Sequence, residues 1–149
     1  MKRNYFNVVK VLCPVVISLC LLSCSREPDE TQLCSTNMTT LSGTYKLTAV
    51  KYKASPSATE MDYLVFMEDC EKDDLVTLNP NGTYNYKDAG TSCAPKGDDS
   101  GTWSLSGNTV YSDGIIGGTI QSFDCKTLAV FVSDLNVPGD KMTVTFSKQ

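Results

Sequence analysis

The chain has 149 residues, with 13 basic and 17 acidic residues and a formal net charge of −4. A negative surface repels a phosphate backbone, so we expect no nucleic-acid partner. The sequence contains no His, which excludes Ser-His-Asp and Cys-His catalysis and any His-ligated metal. We therefore predict a protein that is not an enzyme and that has no cofactor and no metal site.

The N-terminal segment 1–23 has the three-part build of a signal peptide. Lys2 and Arg3 come first, an apolar run occupies 11–22, and a small residue follows it. This run is shorter than the roughly 20 apolar residues that a membrane-spanning helix needs. We predict a cleaved signal peptide over 1–23, with an uncleaved N-terminal anchor as the alternative.

The end of this segment, Leu21-Leu22-Ser23-Cys24, resembles the bacterial lipobox. The resemblance implies cleavage before Cys24 and lipid attachment to its thiol, so the membrane is one expected partner. The polar stretch 24–40 then reads as a lipidated tether. Ser25, rather than Asp, follows the lipidated residue, which does not look like an inner-membrane retention signal. We predict an outer-membrane lipoprotein on the periplasmic side or at the cell surface.

Four further cysteines follow the lipidated one: Cys34, Cys70, Cys93 and Cys125. An even number in an exported domain favours two disulfides, and three pairings are open. We favour Cys70–Cys93, which closes a loop of about 20 residues, together with Cys34–Cys125, which would pin the N-terminal segment to a hairpin turn. No C-x-x-C spacing is present, so zinc is not expected.

Polar and apolar residues alternate from Leu41 onward, which is typical of half-buried strands. Tyr45, Leu47 and Ala49 are expected on one face of the first strand. Turn sequences at 79–82, 106–107 and 124–126 each separate two strand patterns. The pattern predicts eight strands joined mostly by short turns.

One segment departs from this alternation. Ser57 and Glu60 have capping-box spacing, and Met61, Leu64 and Val65 follow at helical intervals. The spacing predicts a short helix roughly over 58–68. A strand through 63–67 is the alternative, because that run is rich in residues that favour strands.

Eight sequential antiparallel strands close into a barrel, because closure removes exposed edges. Four motifs, Gly43–Thr48, Cys70–Leu75, Asn81–Tyr84 and Gly101–Leu105, resemble in their order the lipocalin-like lipoprotein domains of Gram-negative bacteria. The resemblance implies an all-β, eight-stranded antiparallel up-and-down barrel with a short helix or lid after the first strand. We place this domain at 41–149.

The resemblance also implies, from better-studied relatives, a small apolar ligand. If Tyr45 faces the interior, alternation brings Tyr84, Tyr86 and Trp103 inward as well. We predict that Trp103, Tyr45, Tyr84 and Tyr86 bind a small hydrophobic ligand at the barrel mouth. The alternative is a filled barrel that acts as a protein-interaction or inhibitor module and binds a protein partner through the loops near Cys70 and Cys93.

The acidic run Glu68–Asp74 raises a third hypothesis. Two carboxylates in a cleft could hydrolyse a glycoside, and hard oxygen ligands suit calcium. The run lacks EF-hand order, and alternating acids on a turn point to solvent by default. We therefore interpret it as a solvated turn.

Overall fold

The computed structural model describes residues 34–114 and 117–149, which contain nine strands and three short helices. The strands are β1 (Gly43–Lys53), β2 (Met61–Asp62), β3 (Leu75–Leu78), β4 (Thr83–Lys87), β5 (Asp99–Ser106), β6 (Thr109–Ser112), β7 (Gly118–Phe123), β8 (Thr127–Ser133) and β9 (Lys141–Lys148). The helices are α1 (Met38–Leu41), a 3-10 helix (Leu64–Phe66) and α2 (Asp69–Lys72). Across these two ranges, no helix has both the length and the apolar character needed to cross a membrane. The predicted signal peptide, Cys24 and the tether up to residue 33 lie outside the described residues.

Strands β1 and β3 to β9 form a closed antiparallel barrel of eight strands in the described part of the chain. From β3 onward each strand pairs with the next, and β9 returns to pair with β1 along almost its whole length. β2 adds a short pairing to the far half of β1. Closure leaves no open edge on the barrel wall, and the predicted fold class is confirmed.

The three predicted hairpin turns form, the second at 107–108, one residue later than the predicted 106–107. Gly82 and Gly107 have φ of 85° and 57°, in the left-handed region that glycine adopts without steric cost. In the third turn Cys125 has φ of 72°, and the carboxylate of Asp124 accepts the Lys126 N–H at 2.9 Å. Side chain and backbone together therefore hold this tight turn.

A bulge in β1 changes which residues face inward. The register with β9 shifts between Leu47, opposite Phe146, and Ala49, opposite Thr145. The extra residue turns Val50 into the interior, where it is 5% exposed. The expectation that Ala49 shares the face of Leu47 is therefore wrong, because strict alternation fails at a bulge.

The helix predicted over 58–68 does not form as such. Met61 and Asp62 pair with β1, and the Asp62 carboxylate lies 2.9 Å from the Lys51 ammonium. The same carboxylate accepts the Leu64 N–H at 3.2 Å, where the 3-10 helix begins. The backbone groups of Met61 and Asp62 therefore form hydrogen bonds with β1 and not within the predicted helix. The segment still forms a lid after the first long strand.

Because neighbouring strands run in opposite directions, successive connections lie at opposite ends of the barrel. The closed end carries α1 and the hairpin turns at 79–82, 107–108 and 124–126. The open end carries the long connection 54–74, which we call the lid, and the loops 88–98 and 134–140.

Large side chains fill the closed half of the barrel. Leu41 and Tyr45 are fully buried and Trp103 is 3% exposed. The Tyr45 hydroxyl donates to the Leu41 carbonyl at 2.7 Å, and the Trp103 indole N–H donates to the Asn79 carbonyl at 2.9 Å. Each buried polar tip therefore has a partner.

The segment 34–40, predicted as part of the tether, is fastened to this closed end. Cys34 and Cys125 form a disulfide with Cα atoms 5.3 Å apart, and the Cys34 N–H donates to the Phe123 carbonyl at 3.3 Å. The Lys148 ammonium donates to the Thr40 carbonyl at 2.9 Å. The segment from Cys34 to Thr40 therefore belongs to the folded unit.

Candidate ligand-binding cavity at the open end

A cavity of about 460 Å³ lies at the open end, between the barrel wall and the lid. Its walls come from β1, β9, the start of β3 and the end of β4, and the lid covers one side. The described residues that line it are Leu47, Val50, Tyr63, Phe66, Met67, Glu71, Asp74, Val76, Tyr86, Met142, Val144 and Phe146.

Paired side chains of β1 and β9 form the apolar wall. Leu47 lies opposite Phe146, and Val50 lies opposite Val144. Directly opposed residues on one face of an antiparallel pair have touching side chains, so these four make a continuous surface. The bulge after Leu47 is what brings Val50 into it.

The lid contributes aromatic side chains that remain largely exposed. Phe66 is 66% exposed and Tyr63 is 42% exposed. Their ring centroids lie 5.9 Å apart, and Tyr63 also contacts Tyr52 with centroids 6.5 Å apart. Exposed apolar groups of this size next to a cavity are typical of a site that a ligand covers.

A polar group closes the opposite side of the cavity. Asp74 is 7% exposed and accepts the Tyr86 hydroxyl and, at 3.0 Å, the Ala89 N–H. Burial raises the pKa of Tyr86, and its hydrogen bond to Asp74 and the nearby charges of Glu71 and Asp88 raise it further. Tyr86 therefore stays a neutral donor at physiological pH.

A second disulfide joins the lid to the loop 88–98. Cys70 of α2 is bonded to Cys93, with Cα atoms 5.2 Å apart. The buried Asp88 carboxylate accepts the N–H groups of Cys93 and Gly97, each at 3.2 Å. Lid and loop are therefore tied together beside the cavity. The structure contains both disulfide pairings favoured from the sequence.

The structure separates the four aromatic residues predicted to bind a ligand. Tyr86 lines the cavity. Tyr45 and Trp103 lie in the closed half, and Tyr84 is 2% exposed with its hydroxyl 3.3 Å from an Asp99 carboxylate oxygen. These three belong to the buried core and are not among the described residues that line the cavity.

Sequence reasoning missed several residues of the site. Val50 was missed because strict alternation along β1 does not predict the bulge after Leu47. Tyr63, Phe66 and Glu71 lie on the lid, whose position over the mouth depends on the β2 pairing and on the Cys70 disulfide.

The acidic run is only partly the solvated turn that was expected. Glu71 is exposed, but Asp74 is buried because the Tyr86 hydroxyl and the Ala89 N–H replace water around its carboxylate. In the described ranges no three His, Cys, Asp or Glu side chains are grouped so that they could hold a metal ion.

Comparison with known protein families gives one match. A family model, the lipocalin-like domain, matches residues 41–144. This range includes every strand of the barrel wall except the last residues of β9. Searches of curated proteins and of solved structures gave no match.

Proposed function

Because the chain belongs to the lipocalin-like domain family, we propose that it holds a small hydrophobic molecule in the open-end cavity without transforming it. The observation that carries this proposal is the apolar cavity of about 460 Å³, within the roughly 300–1,000 Å³ of small-molecule sites. The closed half is filled by side chains, so the ligand occupies the open half only.

The proposed ligand contacts follow from the cavity walls. Leu47, Val50, Val144 and Phe146 form a contiguous apolar surface that a ligand would remove from water. Covering the exposed ring of Phe66 would add to the same driving force. Of the four aromatic residues predicted from the sequence, the proposal retains Tyr86 as a ligand contact.

Native mass spectrometry of the protein purified gently from its own host tests the proposal. We expect a discrete added mass that is lost on denaturation. A clean apo mass, together with no binding of a neutral hydrophobic dye to the folded protein, would contradict it.

Two neighbouring substitutions on β9 locate the site. Val144 faces the cavity, and Thr143 faces the outer wall. Val144→Phe should fill the cavity and weaken dye binding, whereas Thr143→Phe adds the same ring outside and should leave binding unchanged. Equal effects of the two substitutions would place the dye elsewhere.

We also propose that the protein is exported and anchored by lipid at Cys24 to the outer membrane, on the periplasmic side or at the cell surface. The lipobox-like sequence supports this, and the two disulfides of the barrel suit an oxidising compartment. Cys24→Ser should leave the precursor unprocessed and abolish labelling by a radioactive fatty acid. Continued labelling would exclude this anchor.

The second candidate function is protein binding through the loops near Cys70 and Cys93. The observation that favours it is the loop 88–98, which is exposed over 94–98 yet held in place by Asp88 and by the disulfide. Shortening this loop by deleting 94–98 should then abolish capture of a partner, while Val144→Phe should not. A partner lost with Val144→Phe alone would argue for the cavity.

A further inference from the structure

The charged side chains among the described residues that line the open-end cavity are all negative. Glu71 and Asp74 supply two carboxylates, and Tyr63 and Tyr86 supply neutral hydroxyls. None of the described residues that line the cavity is Lys or Arg. The site therefore has no cation that could pair with a carboxylate or phosphate on a ligand.

These polar groups are gathered on one side of the cavity. Asp74 is 7% exposed, precedes β3, and is hydrogen-bonded to Tyr86 at the end of β4. Glu71 lies on α2, three residues before it, and its side chain is exposed at the rim. The apolar pairs of β1 and β9 form the facing wall, so the cavity has an apolar side and an anionic side.

This asymmetry discriminates between classes of amphiphile. An anionic head group would lose hydration and meet like charges, which opposes binding. A protonated amine would exchange water for charge-assisted hydrogen bonds to carboxylates, which are stronger than neutral ones. Burial raises the pKa of Tyr86 most, and its hydrogen bond to Asp74 and the nearby charges of Asp74, Glu71 and Asp88 raise it further.

We infer that the ligand is a cationic amphiphile, with its apolar part against β1 and β9 and a protonated amine directed to Glu71 and Asp74. This inference rests on the proposed function, because it assigns the chemistry of a ligand in that cavity. Its negative side also sets a specificity, since fatty acids of the same size should be rejected.

Competition against a neutral hydrophobic dye tests the inference on the full folded domain. Dodecylamine, dodecanol and dodecanoic acid share one apolar chain and differ in the head group. We expect the amine to displace the dye at least about tenfold more strongly than the acid, the effect of one charge-assisted hydrogen bond, with the alcohol in between.

Glu71→Gln removes the negative charge of this side chain and keeps its size. Glu71 accepts the Glu68 N–H at 2.9 Å in a capping box, and Gln can make the same hydrogen bond. The amine preference should fall severalfold in this variant. Glu60→Gln removes one exposed lid charge outside the cavity lining and should leave the preference intact.

The outcomes separate the two proposals. If neither the dye nor any of the three amphiphiles binds, the proposed function fails. If they bind but the acid competes as well as the amine, the binding function stands and the inferred ligand class is wrong. An amine preference that is unchanged in Glu71→Gln, or that falls equally in Glu71→Gln and Glu60→Gln, would not depend on the Glu71 charge in particular, which also overturns the inference.

Discussion

The two ends of the barrel are built from the same eight strands and differ in what fills them. At the closed end, Leu41, Tyr45 and Trp103 are buried, and the Tyr45 hydroxyl and Trp103 indole N–H both donate to backbone carbonyls. At the open end, Val50 and Phe146 face a cavity, and the lid leaves Phe66 exposed above it. One end therefore supplies stability, and the other is available for binding.

The two disulfides follow this division. Cys34–Cys125 fastens the N-terminal segment over the closed end, and Cys70–Cys93 fastens the lid to a loop at the open end. Their sequence separations are 91 and 23 residues. A disulfide that closes a longer loop restricts the unfolded chain more, so the first has the larger effect on stability.

Removing Cys34–Cys125 should cause the largest loss of stability. The chain-entropy model gives about 5 kcal/mol for a loop of this length and about 3 kcal/mol for the shorter one. Denaturant unfolding of the two double Cys→Ala variants measures both. We expect only the Cys70/Cys93 variant to change dye affinity, because of the two disulfides only that one is attached to the lid. Equal effects of both variants on dye affinity would contradict the division between a closed end that supplies stability and an open end that binds.

Trp103→Ala should be the next most damaging change. It leaves a cavity in the closed half and removes the indole hydrogen bond to the Asn79 carbonyl, which keeps only the Gly82 N–H as a donor. We expect a cost of roughly 4 kcal/mol in the free energy of unfolding, mainly from the cavity. Dye affinity of the folded variant should stay unchanged, as isothermal titration would show. A clear loss of affinity would make Trp103 a ligand contact and contradict the division between the ends.

Acid should weaken the open end through Asp140. Burial opposes ionisation of this carboxyl, but hydrogen bonds from the N–H groups of Asn136 and Leu135, the Tyr52 hydroxyl and the Val137 N–H outweigh it and lower its pKa. A lowered pKa means stability that is present above about pH 4 and lost as pH falls below it.

Asp140→Asn therefore gives a testable pH profile. The variant should be less stable than the wild type at neutral pH, because Asn cannot accept all of these hydrogen bonds. The difference in Tm should narrow as pH falls below about 4. A difference that is constant from neutral to acidic pH would contradict the assigned role of the charge.

Alkali should weaken the closed end through Tyr45, with the smallest effect. Burial raises the pKa of Tyr45 to about 12, so its contribution is complete below about pH 10 and is lost as pH rises toward the folded value. Tyr45→Phe removes the hydrogen bond to Leu41 and should cost about 1 kcal/mol at neutral pH.

The difference between wild type and Tyr45→Phe should shrink between pH 10 and 12, because only the wild type has this hydroxyl to ionise. Urea unfolding across this range provides the measurement. Other tyrosines are common to both proteins and cancel in the comparison. A constant difference would place the ionising tyrosine elsewhere.

Local chemistry was sufficient to predict the barrel. Alternation defines the strands, and glycines at 82 and 107 allow the positive φ that two of the turns require. Short turns between alternating segments leave little choice of pairing partner, so the meander and its closure follow. The favoured cysteine pairs are also those the structure joins.

The candidate site could be predicted only in part. Alternation along their strands is enough to turn Val76, Val144 and Phe146 inward, but alternation alone does not distinguish the filled half from the cavity. Tyr45 and Trp103 have the aromatic character of ligand contacts and yet lie in the closed half. Aromatic type therefore did not identify the site, since large rings serve cores and pockets equally well.

The amino-acid sequence by itself determined the eight strands of the barrel wall, the hairpin turns and the inward face of most strands, because these depend on neighbours along the chain. Only the tertiary structure decided where the interior is filled. The bulge that turns Val50 inward, the lid held by β2 and Cys70–Cys93, and the burial of Asp74 against Tyr86 all depend on residues distant in sequence. A cavity is space left between such distant residues, and its volume is set by packing and not by any local pattern.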